Sequence, residues 1–133
     1  MKISATIKNA FQKNEISVCT ENNAKSIGIN PKTEGFGSSV NDGELLFLSL
    51  ATCFCNDLYR EAAKRNMTID HVEVTVSGQF GGEGEPASNI SYSANVDANQ
   101  HSKTEIAELI EYVDSIAEIH KTLRQGIPIE LKK

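Results

Sequence analysis

The chain of 133 residues sets thirteen Lys and Arg against eighteen Asp and Glu, a formal charge of −5, with an isoelectric point near 5.2. Nucleic acid or an anionic membrane surface selects for a clustered basic face, which cations scattered among a majority of acids do not make; neither is expected as a partner. The length suits one domain over residues 1–133, enough for a single core.

No apolar run approaches the about eighteen residues of a membrane span. The start, "MKISATIKNAF", has no uninterrupted apolar stretch, so the expected location is the cytoplasm. Three cysteines, an odd number, are expected as reduced thiols. Their C-x33-C-x-C spacing does not suit a zinc site, and no metal or other cofactor is expected.

In chain order, period-two alternation at Ile3, Ala5 and Ile7, at Ile16 and Val18, and at Ile27 and Ile29 predicts three short strands. "PKTEGFGSSVND" (31–42) reads as a loop. Asn41 followed by Glu44 forms a capping-box pattern, which starts a helix predicted to run to about Asn66. Its first half, "ELLFLSLATCF", is apolar nearly all round, so it is expected deep inside an assembly. "HVEVTVSGQF" (71–80) and "ISYSANV" (90–96) predict a hairpin with a loose loop. Ser102 and Glu105 repeat the capping box before a helix predicted to stop near Gly126. "IPIEL" predicts a last strand. The order strand, strand, strand, helix, strand, strand, helix, strand indicates an α+β fold.

Cys53 and Cys55 lie within the first helix. Two residues on a helix are rotated by about 200°, so these thiols point to opposite sides and cannot bridge each other without unwinding it. Taken alone, either reads first as a small core hydrophobe and only second as a functional thiol. Cys19 lies in an alternating strand on the face opposite the expected core.

"NDGELLFLSLATCF", then "AAKRNMTIDHVEVTVSGQF", then "IAEIHKTLRQGIPIEL" resembles the OsmC/Ohr family of osmotically induced and organic-hydroperoxide-resistance proteins, over nearly the whole chain. The resemblance implies an intertwined homodimer, with two central helices packed against antiparallel sheets and the active sites at the subunit interface. It puts Cys53 at the family's peroxidatic cysteine and leaves Cys55 to core packing. A thiolate there attacks a peroxide oxygen, and the sulfenic acid formed is resolved by a second cysteine.

The chain departs from that pattern. Ala117 stands where the family places its resolving cysteine. The family's hydroperoxide-resistance branch uses an arginine from the N-terminal region, whereas the arginines here are Arg60, Arg65 and Arg124. Gly43 stands at the position of that branch's glutamate, with Glu44 one residue on; Glu44 is carried as a candidate catalytic residue, with helix capping as the other reading. His120 is carried likewise, against a satisfied core or surface histidine. Arg60, two helical turns beyond Cys53, reads as a solvated or paired helix end.

The function expected is a one-cysteine peroxidase. Cys53 would reduce organic hydroperoxides or hydrogen peroxide, and an external thiol reductant would replace the missing resolving cysteine. The alternative is a non-catalytic member that binds a small hydrophobic ligand at the dimer interface. A redox-sensing or sulfur-handling protein is a third reading.

Overall fold

The computed structural model describes all 133 residues, in the order β1 (Ile3–Ala10), β2 (Lys13–Thr20), β3 (Asn23–Ile27), α1 (Asp42–Lys64), β4 (His71–Phe80), β5 (Ala87–Asp97), α2 (Lys103–Ile116) and α3 (Glu118–Gln125). It divides into two compact units, Met1–Leu45 and Leu46–Lys133.

The first unit is a three-stranded antiparallel meander, β1-β2-β3, with β1 and β2 in register from Ile3 opposite Thr20 to Ala10 opposite Lys13. Gln12 and Glu21 take positive φ in the tight connections. Asn9 and Asn14 tie the following loop to the hairpin: Asn9 accepts from the Gly37 N–H, and Asn14 donates to the Ile29 carbonyl and the Ser38 hydroxyl. Every residue of β1 is exposed. The expected capping box closes this unit, as Asn41 Oδ1 accepts from the Glu44 N–H at 2.8 Å and Glu44 Oε1 accepts from the Asn41 N–H at 3.0 Å.

In the second unit, β4 and β5 form an antiparallel hairpin. Along β4 half-buried and exposed residues alternate, with Val72, Val74 and Val76 on the half-buried face as their spacing foretells. The core is Phe54, Leu58 and Ala62 of α1 with Val96, Ala98, Leu109, Val113 and Ala117. Phe54, Leu58, Leu109 and Val113 are fully buried, each contributing about 1.5–3 kcal/mol by removing apolar surface from water. The Ser102–Glu105 capping box starts α2 as expected.

The α+β class and the antiparallel pairing agree with the sequence-based expectation, and four details differ. The third strand, expected at Ile27 and Ile29, lies earlier, at Asn23–Ile27, because the tight turn at Glu21 sets its register against β2 and leaves Ile29 outside the ladder. The helix expected from Ser102 to Gly126 is two helices, because Ala117 takes φ −58° and ψ 119°, outside the helical well. "IPIEL" forms no strand. Ile129 and Leu131 are 99% and 87% exposed, because a strand needs a neighbouring edge for its N–H and C=O groups and no strand of this chain pairs with this segment. The charged half of α1 is not simply solvated: Asp57 and Glu61 are buried while Leu48, in the apolar half, is 59% exposed.

Gly78 marks where β4 bends, at a register shift between Ser77 and Gln79. A Cβ there would stand 2.8 Å from Phe47 Cζ and 3.1 Å from Ile90 Cγ1, whereas one at Gly82 would meet nothing within 4 Å. Gly78→Ala is therefore expected to cost about 1–3 kcal/mol by overpacking, and Gly82→Ala to change stability little. Denaturant unfolding of the two variants beside the native protein checks this.

Candidate active site around Cys53

Cys53 lies on the face of α1 that packs against the core. One turn on, Asp57 projects from the same face, since residues four apart on a helix are neighbours. The Cys53 thiol points at two carboxylates, with Sγ 3.9 Å from Asp57 Oδ2 and 4.0 Å from Glu118 Oε2. Sequence reading missed both. Asp57 is legible in the i,i+4 spacing, whereas Glu118 arrives through the fold alone.

Glu118 reaches the thiol because the chain breaks at Ala117. With Ala117 as its N-cap, α3 has no side-chain cap, so its first N–H groups are free to face an anion. Those of Glu118 and Ile119 face the Cys53 sulfur and pull its pKa down. Three other influences outweigh them: burial first, then the charges of Asp57 and Glu118. The balance holds the thiol above its ordinary value of 9.0. At neutral pH Cys53 is protonated in this environment.

Arg60 limits that repulsion. Its Nη1 lies 2.8 Å from Asp57 Oδ1 and 3.7 Å from Glu118 Oε1, and its Nε donates to Glu61 Oε1 at 3.0 Å. Lys64 also reaches Glu61, at 2.9 Å. Arg60 is thus a paired helix-end residue, and one cation serves three carboxylates. Buried Asp57 is tolerable only with such partners. Burial, then Glu118, raises its pKa. Glu118, mostly exposed, is pulled down first by its own backbone N–H and further by a hydrogen bond with Asp57 and the charge of Arg60. Asp57 is therefore the member of the pair that holds a proton more readily.

Cys53 Sγ, Asp57 and Glu118 offer ligand atoms within 4.8 Å of one another. The guanidinium of Arg60 already sits on both carboxylates, and the donor set of one thiol and two paired carboxylates does not favour a bound cation.

The other candidates lie elsewhere. The Glu44 carboxylate is engaged in the helix cap with Asn41. His120, on α3, is buried against Phe54 and Tyr92, at 5.7 and 4.7 Å between ring centroids. Ala117 is fully buried in the core beside which Cys53 packs. Cys55 and Cys19 are half-buried free thiols, and the Cys19 S–H donates to the Glu21 carbonyl at 3.2 Å.

Removing the Glu118 charge relieves one of the terms that raise the Cys53 pKa. Because Glu118 is largely exposed its effect is screened, and Glu118→Gln is expected to speed iodoacetamide alkylation of Cys53 at pH 8 by roughly threefold. Glu73→Gln, on the exposed side of β4, is expected to leave it unchanged. Peptide-resolved mass spectrometry reads both.

The comparisons with known proteins agree with this architecture. The chain is similar to an OsmC-like protein from Mycoplasma pneumoniae, with 22% identity over 95% of this chain and 87% of that one and a TM-score of 0.63. It is similar to the organic hydroperoxide resistance protein OhrB of Bacillus subtilis, with 18% identity, coverage of 99% and 97%, and a TM-score of 0.57. It is also similar to an organic hydroperoxide resistance protein OsmC from Legionella pneumophila, with 13% identity, coverage of 98% and 94%, and a TM-score of 0.59. No curated protein matches by sequence. These likenesses establish the fold, and the family model for OsmC-like proteins matches residues 35–132. With about three-quarters of its length under that model, the chain belongs to the OsmC-like protein family.

Proposed function

We propose that the protein is a thiol-dependent peroxidase of one-cysteine type, with Cys53 as the reacting group. The observation that carries this reading is the position of the Cys53 sulfur at the uncapped N-terminus of α3, with proton acceptors at 3.9 and 4.0 Å. The names of the OhrB and OsmC structures add support.

The proton of Cys53 leaves toward the carboxyl pair, and the thiolate faces the N–H groups of Glu118 and Ile119. Its sulfur attacks the terminal oxygen of the hydroperoxide. The O–O bond breaks, the departing alkoxide takes up a proton to become the alcohol, and Cys53 is left as sulfenic acid. An external thiol condenses with it, releasing water and forming a mixed disulfide. A second thiol displaces the first as a disulfide and restores Cys53. Since the resting thiol is protonated, the rate is expected to climb with pH past 9.

A homodimer accompanies this reading. It would cover β1, whose eight residues are all exposed, and Leu48, Ile129 and Leu131, apolar surface that a lone chain leaves in water. Sedimentation is expected to give twice the 14.5 kDa chain mass; a stable monomer at micromolar concentration overturns it. Cytoplasmic residence fits the reduced thiols that the cycle needs.

The direct test is a steady-state assay with cumene hydroperoxide and several thiol reductants. Turnover is expected to need the added thiol and to vanish in Cys53→Ser; turnover that survives Cys53→Ser refutes the assignment. Peptide mapping under non-reducing conditions adds a second check. The oxidised native protein is expected to hold Cys53 as sulfenic or sulfinic acid, more oxidised than Cys55. Ala117→Cys places a thiol in the core beside Cys53, and is expected to trap it as a disulfide and protect it from over-oxidation.

A further inference from the structure

His120 has no hydrogen bond to Cys53 or to its carboxylates, yet it is the polar side chain that the fold treats most expensively. It is 4% exposed, and neither Nδ1 nor Nε2 has a hydrogen-bond partner in the protein. An unpaired buried donor or acceptor costs about 1–3 kcal/mol, so two on one ring call for an explanation. Burial first and the Arg124 charge second hold its pKa below the ordinary value, with Asp114 opposing. The ring is thus neutral at pH 7, with one N–H to donate and one lone pair to accept.

Its neighbours are committed elsewhere. The Tyr92 hydroxyl donates to Asp114. Arg124 donates through Nη2 to Asp114 Oδ1 at 2.7 Å and through Nη1 to the Asp114 carbonyl at 3.1 Å. Phe54 and Tyr92 present only rings to the imidazole. Inside the protein, nothing is left to serve it.

His120 also lines a cavity of about 410 Å³, whose other walls include Leu50, Ile90, Tyr92 and Leu123. This volume is in the range of small-molecule sites, which pair apolar walls with a few polar groups that fix orientation. Leu123 and Arg124 are both exposed lining residues and give access from solvent. Cys53 is not among the lining residues.

We propose that this cavity binds a small neutral amphiphile, an alkyl chain ending in a hydroxyl or primary amide head that both donates to and accepts from His120. The alkyl body suits Leu50, Ile90 and Leu123. The head has to be bifunctional because a neutral imidazole offers one donor and one acceptor. A carboxylate is disfavoured: it only accepts, and the one cation in the lining, Arg124, is already neutralised by Asp114. The site is independent of the peroxidase reading, so either can fail alone.

The test is titration calorimetry of the full chain with 1-octanol, octyl methyl ether and octanoate, together with ¹⁵N NMR of the histidine side chains. 1-Octanol is expected to bind and to shift the His120 nitrogens, leaving those of His71 and His101 in place. The ether, which cannot donate, and octanoate are each expected to bind about tenfold more weakly, the equivalent of one lost hydrogen bond. Cys53→Ser is expected to retain 1-octanol binding, and His120→Phe to weaken it about tenfold or more. Should His120→Phe not fold, the NMR shifts of the native protein decide. Equal affinity for the alcohol and the ether, no heat up to the solubility limit, or His120 nitrogens unmoved at saturation overturns the proposal, the last by showing an imidazole served by water alone.

Discussion

Ala117 interrupts what would otherwise be one continuous helix, and the site depends on that interruption. Alanine is the best helix former, so nothing intrinsic to the residue requires ψ 119° there. Packing supplies the reason: the turn buries Ala117 completely among Leu109, Val113 and Phe54. It also lets α3 start afresh, with a second set of unsatisfied N–H groups directed at Cys53. A continuous helix would have spent those donors on carbonyls one turn back.

The charges around Cys53 are set against one another rather than toward a single outcome. The N-terminus of α3 favours the thiolate, while burial and the charges of Asp57 and Glu118 favour the thiol, which prevails. Arg60 is spread over Asp57, Glu61 and Glu118, so little of its charge is left for the sulfur. A thiol kept protonated at rest is less prone to adventitious alkylation and oxidation. It gains reactivity wherever the carboxylate charge beside it is reduced. Ala117 bears on this balance too, because it supplies no side chain to the α3 N-terminus and leaves the N–H groups to the sulfur.

Along α3, Glu118 and Ile119 present backbone donors to Cys53 while His120, one residue on, is turned into the aromatic pair of Phe54 and Tyr92. Eight residues of helix thus carry two chemically distinct surroundings, one polar and crowded with charge, the other apolar with an unserved imidazole. Phe54, next to Cys53 in α1 and stacked near the His120 ring, is completely buried between them in sequence and packing.

Local signals in the sequence determined most of the elements. Period-two runs marked β1, β2, β4 and β5, and the Asn41–Glu44 and Ser102–Glu105 capping boxes marked the starts of α1 and α2, because strand alternation and helix caps depend on neighbours within a few residues; β3 was set instead by its pairing with β2. The motif containing Cys53 was legible for the same reason, and the i,i+4 position of Asp57 was there to be read. What only the tertiary structure decided rests on contacts between distant residues. The break at Ala117, in a segment with helical periodicity on both sides, came from burial against α1. The burial of Asp57 and Glu61 required Arg60 and Lys64 to pair with them, and the approach of Glu118 to Cys53 spans 65 residues. The loss of the expected strand at "IPIEL" has the same origin: alternation makes a segment able to pair, but a strand forms only where an edge is present to receive it.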